Sequence, residues 1–251
     1  MPLKIELVPC LTDNYAYLIE ETQTGLCAVV DPSEAEPVRR QLDGRKLSYI
    51  LNTHHHPDHV GGNLELKAQF DAKVVGPAMD RARIPGIDTG VDAASGWQFG
   101  PLAVTVLEIP AHTRSHIAFV MDGAVFTGDT LFAMGCGRLF EGTAQMLWQA
   151  MEKLMRLPDA TRIYCGHEYT RNNGRFALTL EPGNAALKAR MAEVEELRSR
   201  NLPTIPTTMA LEKATNPFLR PTSRELRHHL GLEQATIIEV IAETRRRKDN
   251  F

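Results

Sequence analysis

A chain of 251 residues holds one large domain or two modest ones, and 28 Lys+Arg against 31 Asp+Glu leave a net charge of only −3. That weak acidity offers no electrostatic footprint for a polyanion, which argues against nucleic acid as a partner. No apolar run approaches the roughly 20 residues a membrane span needs, which argues against a membrane protein.

The opening Met1-Pro2-Leu3-Lys4-Ile5-Glu6-Leu7 has no continuous apolar segment of the signal-peptide type. Cys10, Cys27, Cys136 and Cys165 are scattered without a CxxC pair. They read as free, buried thiols in a reducing compartment, and the expected location is cytoplasmic. The charge is uneven: residues 1–169 carry a net −7 and residues 170–251 a net +4. An acidic part suited to cations is followed by a basic part suited to an anion.

In chain order, β-type runs are predicted at Tyr15–Ile19, Ala28–Val30, Tyr49–Leu51, Val104–Ile109, Ile117–Met121, Ala124–Phe126 and Arg162–Tyr164. Ser33-Glu34-Ala35-Glu36 has capping-box spacing and predicts a helix start, and Leu64–Phe70 suits a second helix. Asp122-Gly123 between two apolar runs predicts a type I′ hairpin, because that turn needs positive φ. Thr143 suits the cap of a third helix, with Met146, Leu147, Met151, Leu154 and Met155 on its apolar side.

Beyond about residue 172 the pattern becomes helical. Leu187, Met191, Val194 and Leu197 recur at helical spacing, and Ser223 suits the cap of a helix through Leu230. Ile237, Ile238, Val240 and Ile241 mark a last helix closed by Arg245-Arg246-Arg247-Lys248, where cations suit the C-terminal dipole. Pro203, Pro206 and Pro217 interrupt the segment between. The expectation is an α/β domain over residues 1–172 and a smaller helical domain over 173–251.

Candidate ligands sit at the ends of four β-type runs. Tyr49-Ile50-Leu51 leads into Thr53-His54-His55-His56-Pro57-Asp58-His59-Val60-Gly61-Gly62. Val104–Ile109 leads to His112, Ala124–Phe126 to Asp129, and Arg162–Tyr164 to His167. Neutral imidazole and carboxylate are donors that Zn, Fe and Mn share, and strand ends are where a sheet presents a site. Two side chains of the His54–His59 cluster can serve one ion and two another, which suggests a two-metal hydrolytic site. Taken singly, His55, His116, His228 and His229 read as ordinary polar side chains, and His116 reads as support behind His112. The set does not, because burying His54, His56, Asp58 and His59 without a metal would strand several polar groups.

These residues resemble the metallo-β-lactamase superfamily, whose signature THxHxDH is matched in full by Thr53–His59 and whose later ligands are matched by His112, Asp129 and His167. The resemblance implies an αββα sandwich. It implies that His54, His56 and His112 hold one divalent ion, Asp58, His59 and His167 a second, and Asp129 bridges both. Zinc is the expected metal, with iron or manganese as alternatives.

Gly135-Cys136-Gly137-Arg138-Leu139-Phe140-Glu141-Gly142, Cys165-Gly166-His167-Glu168-Tyr169-Thr170, Asn216-Pro217-Phe218-Leu219-Arg220 and the terminal Arg245–Phe251 resemble glyoxalase II, the hydroxyacylglutathione hydrolase family. That likeness implies a thioesterase converting S-D-lactoylglutathione to D-lactate and glutathione, in methylglyoxal detoxification; a monomer is the expected state. By the same likeness Arg138 and Tyr169 line the glutathione site, and Arg245 and Lys248 reach its glycine carboxylate. Arg138 and Phe140 stand where some members carry Lys and Tyr, and Phe140 cannot donate a hydrogen bond. Asp58 and Asp129 are the expected catalytic carboxylates, since a metal pair lowers the pKa of water to about 7 and a carboxylate can orient the attacking oxygen. The rival readings are a persulfide dioxygenase and another hydrolase of the same fold, such as a lactonase.

Overall fold

The structure is a computed structural model and describes residues 3–251. The chain divides into two compact units. The first runs to Glu108 and includes Ser115–Gly128; the second comprises Ile109–Arg114 and Asp129–Phe251.

The first unit contains β1 (Leu3–Cys10), β2 (Asn14–Glu21), β3 (Leu26–Val30), α1 (Ala35–Leu42), β4 (Leu47–Leu51), α2 (Pro57–Val60), α3 (Asn63–Phe70), β5 (Lys73–Pro77), β6 (Ile87–Val91), β7 (Trp97–Phe99), β8 (Leu102–Glu108), β9 (Ile117–Met121) and β10 (Ala124–Gly128). One sheet has the order β1-β2-β3-β4-β5-β6. It is antiparallel from β1 to β3 and parallel from β3 to β6. The strands β7, β8, β9 and β10 form an antiparallel meander in a second sheet.

The strand β2 shows why the layers form. Ala16 and Leu18 enter a core with Val38 and Leu42 of α1 and Leu66 of α3. Tyr17, on the opposite face by the two-residue period of a strand, meets Phe126 of β10 with ring centroids 5.7 Å apart. Tyr49 of β4 meets Trp97 of β7 at 5.1 Å, edge to face. Helices therefore cover one face of the first sheet and the meander covers the other. The predicted hairpin is present: Asp122 and Gly123 have φ of 44° and 69°, and Met121 pairs with Ala124.

The helix after Ser33 starts one residue later than its capping box requires. Glu34 is the N-cap, without a side-chain cap bond, so Glu36 stands too early to complete the box. The carboxylate of Glu34 instead accepts the Leu11 N–H at 2.7 Å. The backbone here packs closely: the Gly62 N–H donates to the Pro32 carbonyl at 2.8 Å, and a Cβ on Gly61 would lie 2.4 Å from the Ser33 carbonyl oxygen.

The second unit contains β11 (Leu131–Phe132), β12 (Gly135–Cys136), α4 (Ala144–Met155), β13 (Arg162–Cys165), α5 (Thr170–Leu180), α6 (Ala185–Ser199), β14 (Thr207–Thr208), α7 (Met209–Thr215), α8 (Arg224–Leu230) and α9 (Ile237–Asp249). Thr143 and Ser223 cap α4 and α8 through their hydroxyls, and Thr236 with Glu239 forms a complete capping box on α9. Each such cap stabilises by about 1 kcal/mol. The helices bury two clusters: Met134, Ala177, Leu187, Met191 and Val194, and Phe176, Leu180, Leu226, Leu230 and Val240. Glu212 of α7 accepts the Met134 N–H at 2.7 Å, and Asn216 donates to the Phe132 and Gly135 carbonyls at 3.0 Å each, so the short β11–β12 ribbon is held from its helical side. No helix among the described residues is long and apolar enough to cross a membrane.

Candidate metal centre

In the first unit the loop of candidate ligands, Thr53–His59, follows β4. His56 is the N-cap of α2 in an extended conformation (φ −60°, ψ 143°), and Pro57 opens the helix, where a missing N–H costs nothing. His54 and His56 thus lie before the helix, and Asp58 and His59 within it. The His54 ring centroid lies 4.7 Å from that of His56 and 4.2 Å from that of His59. Asp58 Oδ2 lies 3.7 Å from His59 Nε2. Imidazoles this close would repel one another if protonated and suit a shared cation if neutral.

Asp31, which the sequence reading did not single out, holds this loop. Its backbone is left-handed (φ 48°), and it is buried. Its carboxylate accepts the Thr53 N–H at 2.8 Å and the Thr53 hydroxyl at 2.7 Å, and it faces His59 Nδ1 at 3.2 Å. Through these contacts Asp31 orients His59. Thr53 Oγ1 also lies 3.0 Å from His54 Nδ1. In both His54 and His59 the Nδ1 edge is turned to the protein, so a metal would have to meet Nε2. Asn14 donates to Asp58 Oδ2 at 3.0 Å, and Asn52 to the His59 carbonyl at 3.1 Å. His116 is buried and stacks on His54 at 4.5 Å and 20°. Asp31 had one visible signal, its position directly after the buried run Val29-Val30.

In the second unit Asp129 is the hub. Its Oδ2 lies 3.2 Å from His167 Nε2 and 3.5 Å from His112 Nε2. One carboxylate oxygen flanked by two imidazoles is the arrangement a bridging ligand needs. His112 Nδ1 lies 2.8 Å from the Arg138 carbonyl oxygen, and His167 lies flat on Tyr169 at 4.6 Å and 4°. Gly137 crosses so close that a Cβ there would fall 1.9 Å from the Asp129 carbonyl oxygen, so only glycine fits.

Residues 11–167 match the metallo-beta-lactamase superfamily, and residues 168–251 match the family described as hydroxyacylglutathione hydrolase C-terminus. A hydroxyacylglutathione hydrolase of Methylococcus capsulatus is 52% identical over 253 residues, 99% of each chain. The chain belongs to the hydroxyacylglutathione hydrolase family. Another member, from Rhizobium etli, is 47% identical over 100% of this chain and 99% of that one. Among solved structures, ETHE1 from Myxococcus xanthus superposes with a TM-score of 0.66 at 25% identity over 100% of both chains. The fold is that of the metallo-β-lactamase superfamily, carrying the helical C-terminal segment of the hydroxyacylglutathione hydrolases.

The residues the family resemblance assigns to substrate fall into two kinds. Arg138 is exposed, with Nε 3.8 Å from Asp249 Oδ1, and Tyr169 is 38% exposed beside His167. Arg245 is not a solvated helix end. It is buried, donates to the Cys136 carbonyl oxygen at 2.8 Å, pairs with Asp249 at 3.0 Å and lies 5.3 Å over the Phe218 ring. Lys248 is half-buried, with Nζ 5.5 Å from the Phe176 ring centre and 5.2 Å from that of Phe251. Burial, and then the Arg245 charge beside it, lower its pKa to about 8. Burial raises the Cys136 thiol to about 11 and the Cys165 thiol to about 12, which leaves neither as a nucleophile near neutral pH. Phe140 is 63% exposed and stands edge-on to His112 at 5.2 Å.

Proposed function

We infer that this chain is a metal-dependent thioesterase that hydrolyses S-(2-hydroxyacyl)glutathione, chiefly S-D-lactoylglutathione, to D-lactate and glutathione. One observation carries the reading: the likeness to hydroxyacylglutathione hydrolases spans the whole chain, including the helical segment 168–251 that distinguishes them within the superfamily.

The donor set fits two divalent ions. His54, His56 and His112 would hold the first, Asp58, His59 and His167 the second, with Asp129 shared. Zinc suits three imidazoles or a mixed imidazole and carboxylate set, and iron or manganese would accept the same donors. When bound, such a pair supplies a more acidic water and a Lewis acid for the thioester carbonyl. The protein's share is placement. Asn14 fixes one oxygen of Asp58, which leaves that carboxylate aligned to orient the attacking water and take its proton. The water oxygen bonds to the thioester carbon, the C–S bond breaks, and glutathione leaves as a thiolate, whose conjugate acid has a pKa of about 8.5 for an ordinary thiol. It therefore demands less acid assistance than an alkoxide.

Arg138, Tyr169 and Lys248 would bind the glutathione peptide, with Lys248 supplying charge for a carboxylate. Arg245 would act one step back, through the Cys136 carbonyl and so through the loop that carries Arg138. Residues 1–172 would form the catalytic domain and 173–251 the substrate-binding helical domain. The four cysteines are buried and none is in a disulfide, in keeping with a cytoplasmic enzyme. We take it to act as a monomer.

The test is loss of the thioester absorbance of S-D-lactoylglutathione with purified protein, beside a chelator-stripped control. Rapid, metal-dependent loss is expected. No loss from protein carrying two metal equivalents would reject the reading, and oxygen consumption with a glutathione persulfide would then be measured.

A further inference from the structure

We propose that Asp80 is a positioning residue for the metal-binding loop, acting on it through His55 and Ser115. The proposal rests on the two-metal reading above. Asp80 closes a single 3-10 turn (Ala78–Asp80) after β5, and its side chain is fully buried. Its Oδ1 accepts from Arg83 Nε and pairs with Arg83 Nη2, each at 2.5 Å. Its Oδ2 faces His55 Nδ1 at 3.1 Å and accepts the Ser115 hydroxyl. Three separate segments thus converge on one buried carboxylate, which is costly to bury unless those partners stay in place.

His55 is held on both edges. Arg83 Nη1 lies 3.2 Å from His55 Nε2. A guanidinium can only donate, so Nε2 accepts and Nδ1 carries the proton toward Asp80. The imidazole therefore bridges Arg83 and Asp80, and its ring centroid lies 6.5 Å from that of His54 and 4.9 Å, edge-on, from that of His56. Its neighbours His54 and His56 are the proposed ligands, and the peptide plane between each pair transmits that orientation.

Ser115 gives Asp80 a second hold on the same loop. The next residue, His116, stacks on His54, and the Ile117 N–H donates to the Thr53 carbonyl at 3.0 Å. A Cβ on Gly128 would lie 2.3 Å from Thr53 Oγ1 and 2.8 Å from the His116 ring, so this wall has no room to relax. Asp80 therefore fixes the loop at His55 and fixes the ring that backs His54. Loss of a group that orients a ligand typically weakens metal binding 10–100-fold, as an order of magnitude.

The experiment compares His55→Leu, His55→Asn and Asp80→Asn with the parent chain, by zinc affinity in chelator competition and by the visible spectrum of the cobalt(II)-substituted protein. An Asn amide can place its N–H near the position of His55 Nδ1, whereas Leu cannot donate. His55→Leu is expected to weaken zinc binding by about tenfold or more and shift the cobalt bands, with His55→Asn close to the parent. Asp80→Asn is expected to lose at least as much as His55→Leu. If Asp80→Asn does not fold, the two His55 variants decide, since that ring is 15% exposed. A clamp that only stabilises the fold would lower the melting temperature of His55→Leu and leave zinc affinity and cobalt bands unmoved, which overturns the proposal. A parent chain unable to hold two metals would overturn the two-metal reading and the clamp with it.

Discussion

The two groups of candidate ligands are built by opposite means. The loop from His54 to His59 takes its donors from one short stretch, and buried side chains brace it from behind: Asp31 on His59 and Thr53, Asn14 on Asp58, Asp80 on His55. His112, Asp129 and His167 come from three separate segments, and backbone and ring contacts brace them: the Arg138 carbonyl on His112, Tyr169 on His167, Gly137 against Asp129. A local cluster can be assembled by a motif and then tuned by its polar supports. A dispersed one depends on how closely its loops approach.

The largest effect should come from the hub of the dispersed group. Asp129→Ala removes the oxygen that lies between two imidazoles. It is expected to lower kcat by more than the roughly 10–100-fold typical of a lost supporting group, with a smaller change in KM and a reduced metal content. Steady-state kinetics with metal analysis on one preparation check this. Full activity with full metal would show that Asp129 does not bridge.

Next comes a backbone test of the same group. Gly137→Ala must push the Asp129 backbone away, because the nearest atom in its path is the Asp129 carbonyl oxygen, with the His112 ring next. Overpacking of this kind costs about 1–3 kcal/mol, so a lower melting temperature is expected together with a loss of kcat. A variant that loses stability but keeps kcat would mean that Asp129 tolerates displacement. The dispersed group would then resemble the local one in its robustness.

How much of this could be read from the sequence follows the same division. Thr53–His59 was legible because its donors sit side by side, and β2 because Tyr15–Ile19 is buried on both faces. The strand β6 was not, because Asp88, Thr89 and Gly90 break its apolar pattern. It holds its place through pairing with β5 and through Asp88, which accepts from Lys67 and from the Val74 N–H. Charges at Lys4 and Glu6 hid β1 in the same way. The braces were invisible because hydrogen bonds leave no periodicity. Arg245, expected to reach substrate from a helix end, finds its partner in a backbone carbonyl 109 positions away.

The basic end of α9 repeats the contrast on a smaller scale. Arg245 is braced and buried, so Arg245→Ala should destabilise by about 1–3 kcal/mol, through the carbonyl it leaves unmet, and raise KM as the Arg138 loop loosens. Lys248→Ala should raise KM with little change in melting temperature. Its pH dependence gives a signature. The folded pKa of about 8 lies below the ordinary 10.5. The folded chain therefore binds fewer protons than the unfolded chain between those values, and stability rises with pH across that window. Substrate anion would favour the charged form, so KM for S-D-lactoylglutathione should climb as pH passes 8 in the parent and stay flat there in Lys248→Ala. A climb that survives in Lys248→Ala would assign the titration to another group.

The smallest expected effect concerns Phe140, which sits between the two kinds of bracing: its ring stands edge-on to His112, yet it is 63% exposed. The ring contact needs only the aromatic edge, which Tyr retains. The exposed side can accept a hydroxyl without burying it, so Phe140→Tyr should leave the melting temperature and metal content unchanged. If the loop Gly135–Gly142 binds the glutathione peptide, the new hydroxyl adds one neutral hydrogen bond, about 1 kcal/mol or roughly fivefold in KM. A fall in KM of that size at constant kcat would place Phe140 against the peptide. A change in kcat without one in KM would instead mean that its ring acts through His112, and that the dispersed ligand group is sensitive to its outermost contact.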